Sequence, residues 1–183
     1  MRRLSLVLQD QQRIKSMRDA YSIGSVRQHT ELLTPATATG PGSERLEVNV
    51  IFTGKPATAA ALKSAQSLAN GLGACIRLRA VIAVPFRLSL DQPPVSVRFM
   101  EQLLCNLVGQ PEEDGIEHTI HLYVCRDQTG TILQVLKPNS LVVVGGRTRW
   151  WPTAESRMAR ILRAKGHRVI FIDVKGQSAR SLP

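Results

Sequence analysis

The residues with the best potential for binding chemistry lie in one stretch, LVVVGGRTRWWPTAESRMARIL at 141–162. Four apolar residues lead into a glycine pair, a basic and aromatic loop follows, and a helical pattern begins after Pro152. This order predicts a buried strand, a loop at its carboxyl end and a helix behind the loop. In an open parallel sheet, ligands bind at the carboxyl ends of the strands, where loop N–H groups and helix N-termini meet. We expect any small anionic ligand to bind here.

The remaining reactive side chains suggest no catalytic or metal chemistry. The sequence has no G-x-S-x-G motif, no pair of carboxylates near the predicted site and no arrangement of Cys with His. His118 and His121 are three residues apart on a predicted strand, so they point to opposite faces and do not share a metal ion readily. Cys75, Cys105 and Cys125 are widely spaced in apolar surroundings, and we expect three reduced core residues.

Positive charge is concentrated around the predicted site. The chain carries a formal net charge of +10. From residue 145 to the end there are nine basic residues against two acidic ones, a local charge of +7. Such a field attracts nucleotides, nucleic acid or acidic protein surfaces, although a solvated basic helix face explains it equally well.

The elements that would position this stretch alternate regularly along the chain. Periodicity and turn residues predict strands at 47–53, 75–85, 116–125 and 167–174, a further strand from Leu141, and helices at 57–72, 95–108, 129–136 and 153–165. Strands that alternate with helices are joined by right-handed crossovers and are therefore parallel. The predicted fold is a doubly wound α/β sheet with helices on both faces.

The chain divides into an arm, a domain and a tail. Residues 1–46 read as a basic arm with an imperfect amphipathic stripe, followed by a Pro/Gly-rich linker; residues 47–175 form the domain, and 176–183 form a frayed tail. The arm is suited to packing on the domain or on a partner protein, and a basic amphipathic segment also suits an anionic membrane surface. No apolar run approaches the roughly 18 residues of a membrane span, and we expect a cytoplasmic protein.

Several segments together resemble the universal stress protein family over about residues 47–174. The similar segments are VNVIFTG, NGLGACIRL, AVIAVP, SLVVVGGRTR and ESRMARILRAKGHRVIFI. The resemblance implies a strand order of 3-2-1-4-5 in the domain. In that order the first and fourth strands are neighbours, so that Gly54 and Gly145 face one crevice.

The resemblance also implies a nucleotide site, which this sequence alters. Family members that bind ATP carry G-x-x-G, nine residues and G-S/T after the fourth strand, and an aspartate after the first. The implied site residues are Thr53, Gly54, Val81, Gly145, Arg147, Thr148 and Ser156. Thr148 stands at the second glycine, Thr53 at the aspartate, and Glu155 at the glycine before the hydroxyl residue. A Cβ at position 148 hinders left-handed backbone, and Glu155 places negative charge where phosphates would approach.

These features predict a non-catalytic regulatory or stress-response domain with weak, altered or absent ATP or AMP binding. Two alternatives remain: an ATP- or AMP-binding protein with slow hydrolysis, and a module that binds nucleic acid or an acidic partner through its basic C-terminal third, of which nucleic acid is the less favoured. The resemblance implies a homodimer through the strand at 167–174; an arm that covers this strand is the alternative. Trp150 and Trp151 are expected to cover the sheet end or form a dimer contact, with base stacking as the alternative.

Overall fold

The computed structural model describes residues 28–33, 46–108, 116–148, 150 and 152–174. Within them the strands are β1 (Gln28–Leu33), β2 (Glu47–Ile51), β3 (Cys75–Ala83), β4 (His118–Cys125), β5 (Leu141–Gly146) and β6 (Arg168–Asp173). The helices are α1 (Lys55–Leu72), α2 (Val97–Val108), α3 (Gln128–Val135) and α4 (Ala154–Ala164). The nine predicted elements are confirmed, with ends that differ by at most two residues. The predicted tail, and the arm apart from 28–33 and 46, lie outside the described residues.

One sheet holds all six described strands, in the order β1-β4-β3-β2-β5-β6. Strands β2 to β6 are mutually parallel, which confirms the predicted 3-2-1-4-5 order of the five domain strands. The sixth strand, β1, was not predicted. It comes from the predicted arm and pairs antiparallel with β4, from Gln28 opposite Val124 to Leu33 opposite Thr119. The arm therefore borders the β4 side of the sheet, at the opposite end from β6.

Helix α1 has the boundary signals that its sequence predicts. Pro56 lies in its first turn, where backbone N–H groups have no partner within the helix, so the N–H that proline lacks costs no hydrogen bond. Gly73 follows its last residue with a φ of 61°, and the Gly73 N–H donates to the Ala69 carbonyl. Its buried face is rich in alanine, so the helix lies close to the sheet. Across the described ranges, no helix combines the length and apolar character needed to cross a membrane.

The two faces of the sheet bury separate apolar clusters. On one face, α1 and α2 cover Val48, Val50, Ile76, Leu78, Ile120 and Leu122. On the other, α3 and α4 cover Ile51, Val142 and Val144 with their own Ile132, Met158 and Leu162. This alternation of inward side chains along each strand fixes the register, because a slip of one residue would exchange the faces. The carboxyl ends of β2 and β5 are thereby held side by side.

A polar network lies among the buried strands β2, β3 and β4. The Arg79 side chain donates from Nε to Asn49 Oδ1 at 2.7 Å and from Nη1 to the Tyr123 hydroxyl at 2.9 Å. Arg79 is only 5% exposed, and burial lowers the pKa of its guanidinium below the ordinary value. Arg77, two residues earlier, is less buried and pairs with Glu47 at 2.9 Å. Both Arg79 partners are neutral, so hydrogen bonds rather than an ion pair hold this buried charge.

The three cysteines differ in their exposure. Cys75 and Cys125 are buried, as expected, and burial raises the pKa of both thiols. The expectation was wrong for Cys105, which is exposed on α2. Its neighbour Leu104 is fully buried, and consecutive helical positions lie about 100° apart, so the side chain at position 105 is turned toward solvent.

Candidate anion-binding site

The crevice between the carboxyl ends of β2 and β5 is tied together by Thr53. Its hydroxyl donates to the Gly145 carbonyl at 2.7 Å, across the two neighbouring strands. Its backbone N–H donates to the Thr58 hydroxyl on α1 at 3.1 Å. Thr53 thus links the strand ends to the first turn of α1, and its hydroxyl proton is already used within the protein.

The glycine pair that ends β5 allows close packing on both faces of the sheet. A Cβ at Gly145 would overlap the backbone carbonyl oxygen of Ala57 and lie 2.6 Å from the carbonyl carbon. A Cβ at Gly146 would lie 2.8 Å from Phe171 Cζ and 2.9 Å from Glu155 Cβ. Distances under about 3 Å are well inside van der Waals contact. Helix packing therefore accounts for both glycines without a ligand.

A cleft of about 260 Å³ lies beside this crevice, between α4 and the ends of β5 and β6. It is lined by Arg147, Thr148, Ser156, Ala159, Arg160, Arg163 and Phe171. Three arginines and two hydroxyl-bearing residues therefore line the cleft, with Arg147 and Thr148 after the carboxyl end of β5 and the Arg163 guanidinium near the start of β6. Guanidinium groups form charge-assisted and often bidentate hydrogen bonds with phosphate and carboxylate oxygens. The cleft is suited chemically to an oxyanion.

The first turn of α4 forms one end of the cleft. Thr153 is the N-cap, and its hydroxyl accepts the backbone N–H of Ser156 at 3.2 Å. The Ser156 hydroxyl donates to the Thr153 carbonyl at 3.0 Å. Glu155 adds an acidic side chain in the same turn, and its negative charge reduces the positive potential of the helix N-terminus. The arginine side chains are consequently the main source of positive potential in the cleft.

Two hydrogen bonds fix the surroundings of the cleft. Arg163 donates from Nη2 to the Val169 carbonyl on β6 at 3.1 Å. The backbone N–H of Thr148 donates to Asp173 Oδ1 at 2.9 Å and so ties the loop after β5 to the end of β6. A loop that is already fixed by hydrogen bonds within the protein loses less conformational entropy when it binds an anion.

The predicted site residues divide into three groups in the structure. Arg147, Thr148 and Ser156 line the cleft together. Thr53, Gly54 and Gly145 lie at the crevice between β2 and β5 instead, where Gly54 precedes α1 with a φ of 137°. Val81 is half-buried and packs against the cluster under α3 and α4. The first two groups are adjacent, but only the first group, Arg147, Thr148 and Ser156, borders the cleft.

The comparisons with protein-family models and with curated proteins give no relative for this chain. No protein-family model matches it, and no curated protein matches it. The geometry of the cleft therefore carries the functional argument.

Arg160, Arg163 and Phe171 complete the cleft and were not among the predicted site residues. A signal for the two arginines was present in the sequence. Their spacing of three residues on α4 places them along one helix face. Phe171 had no such signal, because its position depends on the pairing of β6 with β5. Among the residues that the structure describes, no group of three or more metal-binding side chains comes together.

Trp150 does not cover the sheet end, contrary to the expectation from the sequence. Its side chain is 100% exposed on the loop that follows β5. Arg149 and Trp151, its neighbours, lie outside the described residues. The expected packing on the sheet end is thus wrong for Trp150, whereas the expected dimer contact stays a prediction, and the side chain is open to a ligand or partner.

Proposed function

We propose that this chain is a non-catalytic regulatory domain of the universal stress protein type that binds a small phosphate-bearing ligand in the cleft beside α4. The observation that carries the proposal is that Arg147, Arg160 and Arg163 line one cleft together with Thr148 and Ser156. In this proposal the ligand is recognised by its charged oxygens, and its binding alters how the domain contacts other proteins.

The proposed site is a displaced version of the nucleotide site that the resemblance implies. In the crevice, Ala57 packs directly on Gly145 and the Thr53 hydroxyl is bound to the Gly145 carbonyl, so phosphates find little space there. The neighbouring cleft supplies the positive charge instead. Its volume of about 260 Å³ is slightly below the range typical of small-molecule sites, which favours a phosphate group over an enclosed nucleotide. We therefore propose weak and altered binding of AMP or ATP, through the phosphates.

The residues around the cleft favour binding over catalysis. None of the seven described residues that line it carries a carboxylate, an imidazole or a thiol. Hydrolysis of a phosphoanhydride requires an oriented water molecule in addition to charge stabilisation. The Ser156 hydroxyl donates to the Thr153 carbonyl and offers no free base for this purpose.

Calorimetric titration of the protein with inorganic phosphate, AMP and ATP tests the proposal. The protein is first denatured and its supernatant analysed for released nucleotide, and the refolded, stripped protein is titrated. We expect the double variant Arg160→Ala, Arg163→Ala to bind at least tenfold more weakly, because each charge-assisted hydrogen bond contributes about 1.5–3 kcal/mol. Arg147→Ala should weaken binding in the same direction.

Arg157→Ala is the matched control, because Arg157 is exposed on the same helix but does not line the cleft. Its affinity should remain within about twofold of the wild-type value, since only long-range charge is lost. Equal losses in Arg157→Ala and in the double variant would point to diffuse attraction. No heat of binding at millimolar phosphate, AMP or ATP would refute the proposed site.

We also propose that β6 forms a homodimer contact. In the described part of the chain β6 pairs on one side only, with β5, and its central residues are half-buried. An edge strand with apolar side chains pairs readily with a symmetry-related copy. The described arm strand β1 lies at the other end of the sheet and does not pair with this edge.

Sedimentation velocity over a range of concentrations tests the dimer. We expect a dimer that dissociates in Ile172→Lys, because a lysine in an edge strand opposes pairing between copies. Leu72→Lys, which changes an exposed apolar residue at the end of α1, should leave the mass unchanged. A wild-type monomer at every concentration would exclude β6 as an interface.

A further inference from the structure

Two loops at the same edge of the sheet expose aromatic side chains. Phe86 follows β3 and is 88% exposed, and Trp150 follows β5 and is 100% exposed. Both strands are parallel to β2 and flank it, so their loops leave the same edge. Two strand spacings of about 4.8 Å place the strand ends roughly 10 Å apart. Large aromatic side chains that are almost fully exposed contribute nothing to the core of the domain.

The Phe86 ring is held in place by its surroundings. It lies in a turn in which the Leu88 N–H donates to the Pro85 carbonyl at 3.0 Å. Arg126, which follows β4, donates from Nη1 to the Val84 carbonyl at 3.1 Å and also to the Pro85 carbonyl. The guanidinium carbon of Arg126 lies 5.5 Å from the centre of the Phe86 ring. A cation therefore packs on the ring while most of the ring remains open.

An arginine lies near each of the two aromatic residues, although the Asp173 carboxylate also reaches the loop after β5, at Thr148. Arg87 is exposed at the same turn as Phe86, and Arg147 is exposed in the same loop as Trp150. The whole chain carries a formal net charge of +10. Arginine beside an open aromatic ring is the combination that proteins use to bind single strands, with the base on the ring and the phosphate on the cation.

The position of Arg126 favours a nucleic acid over a lipid surface. If Phe86 inserted into the hydrocarbon of a membrane, the Arg126 guanidinium would have to enter with it, because it packs on the ring and is hydrogen-bonded to two backbone carbonyls. Moving this charge out of water is costly. A base that stacks on the open part of the ring leaves the guanidinium at the surface and gains from its charge.

We infer that this edge, defined by Phe86, Arg87, Arg126, Arg147 and Trp150, binds single-stranded nucleic acid without strong sequence preference. Bases stack on Phe86 and Trp150, and phosphates contact Arg87 and Arg147. The inference shares Arg147 with the proposed phosphate cleft, whereas Phe86, Arg87, Arg126 and Trp150 do not line the cleft and Arg160 and Arg163 take no part in the nucleic-acid edge.

Fluorescence anisotropy with labelled oligonucleotides of about 12 nucleotides, DNA and RNA, tests the inference at low salt. Affinity should fall with salt at a logarithmic slope of about −1.4, as expected for two phosphate contacts on a single strand. Phe86→Ala and Trp150→Ala should each weaken binding about tenfold, the loss typical of one stacked base. Phe86→Tyr should keep nearly the wild-type affinity, because the ring remains.

Leu72→Ala is the matched control for loss of an exposed apolar side chain, because Leu72 lies at the end of α1, away from these loops. It should bind like the wild type, and a duplex of the same sequence should bind more weakly than the single strand. Unchanged affinity in the variant that carries both Phe86→Ala and Trp150→Ala would overturn the inference. So would binding to phosphatidylserine vesicles, lost in that same variant, with no binding to oligonucleotides.

Discussion

Gly145→Ala is expected to lower the free energy of unfolding by at least about 3 kcal/mol, at the upper end of the cost of overpacking. The added Cβ would overlap the Ala57 carbonyl oxygen and lie 2.6 Å from the carbonyl carbon. Both atoms belong to the backbone of α1, so the helix as a whole must move to relieve the contact. Urea unfolding followed by circular dichroism measures the loss.

Gly71→Ala is the matched control. Gly71 lies inside α1, and a Cβ there meets no atom within 4 Å. We expect this substitution to be neutral or to stabilise the protein by up to about 1 kcal/mol, since alanine favours helix more than glycine does. If Gly145→Ala were as stable as Gly71→Ala, α1 would not lie as close to β5 as the structure shows.

Arg79→Ala is expected to lower the free energy of unfolding by about 3 kcal/mol, because each buried polar group that loses a hydrogen-bond partner costs about 1–3 kcal/mol. The substitution deletes the hydrogen bonds to Asn49 and Tyr123 and leaves a cavity among β2, β3 and β4. Arg77→Ala is the comparison, because this neighbouring arginine is 30% exposed and pairs with Glu47. Its loss should cost less than that of Arg79, because Glu47 keeps its ion pair with Lys137 at 2.9 Å.

A double-mutant cycle separates the hydrogen bond from the packing. Arg79→Met keeps most of the side-chain volume but leaves the Asn49 amide oxygen without its donor. Adding Asn49→Leu should recover part of the stability, because two apolar partners avoid the desolvation cost of one unpaired group. Additive effects of the two substitutions would mean that the 2.7 Å contact contributes nothing to stability.

Most of the fold was predictable because local signals agree with the final structure. Pro56 and Gly73 bound α1 as the sequence suggests, and apolar runs mark β3 and β5. Strand β1 could not be predicted in the same way. Its sequence, QHTELL, carries no strong strand signal, and it is a strand because the edge of β4 is available to pair with it. Pairing between distant segments is not encoded in either segment alone.

The site was predictable in part. The stretch at 141–162 contains Arg147, Thr148 and Ser156, which line one cleft, and their role in binding a ligand stays a prediction. The role of Gly145 was not evident, because a glycine that admits a ligand and a glycine that admits a helix have the same sequence signal. Only the position of Ala57 distinguishes the two. The buried network at Arg79 could have been suspected from the alternation in CIRLRAVIA, which places both arginines on one face of β3.

The pairing of β1 with β4 has a consequence for how the chain is made. The ribosome completes residues 28–33 about 90 residues before their partner strand. Residues 28–33 therefore have no strand to pair with until β4 has been synthesised. Closing a segment of this length costs entropy that only the finished pairing offsets. During synthesis, the newly made edge of β4 and the waiting N-terminal strand are both open to pairing with other nascent chains. Exchange of β1 between two copies is therefore the misassembly to which this topology is most exposed.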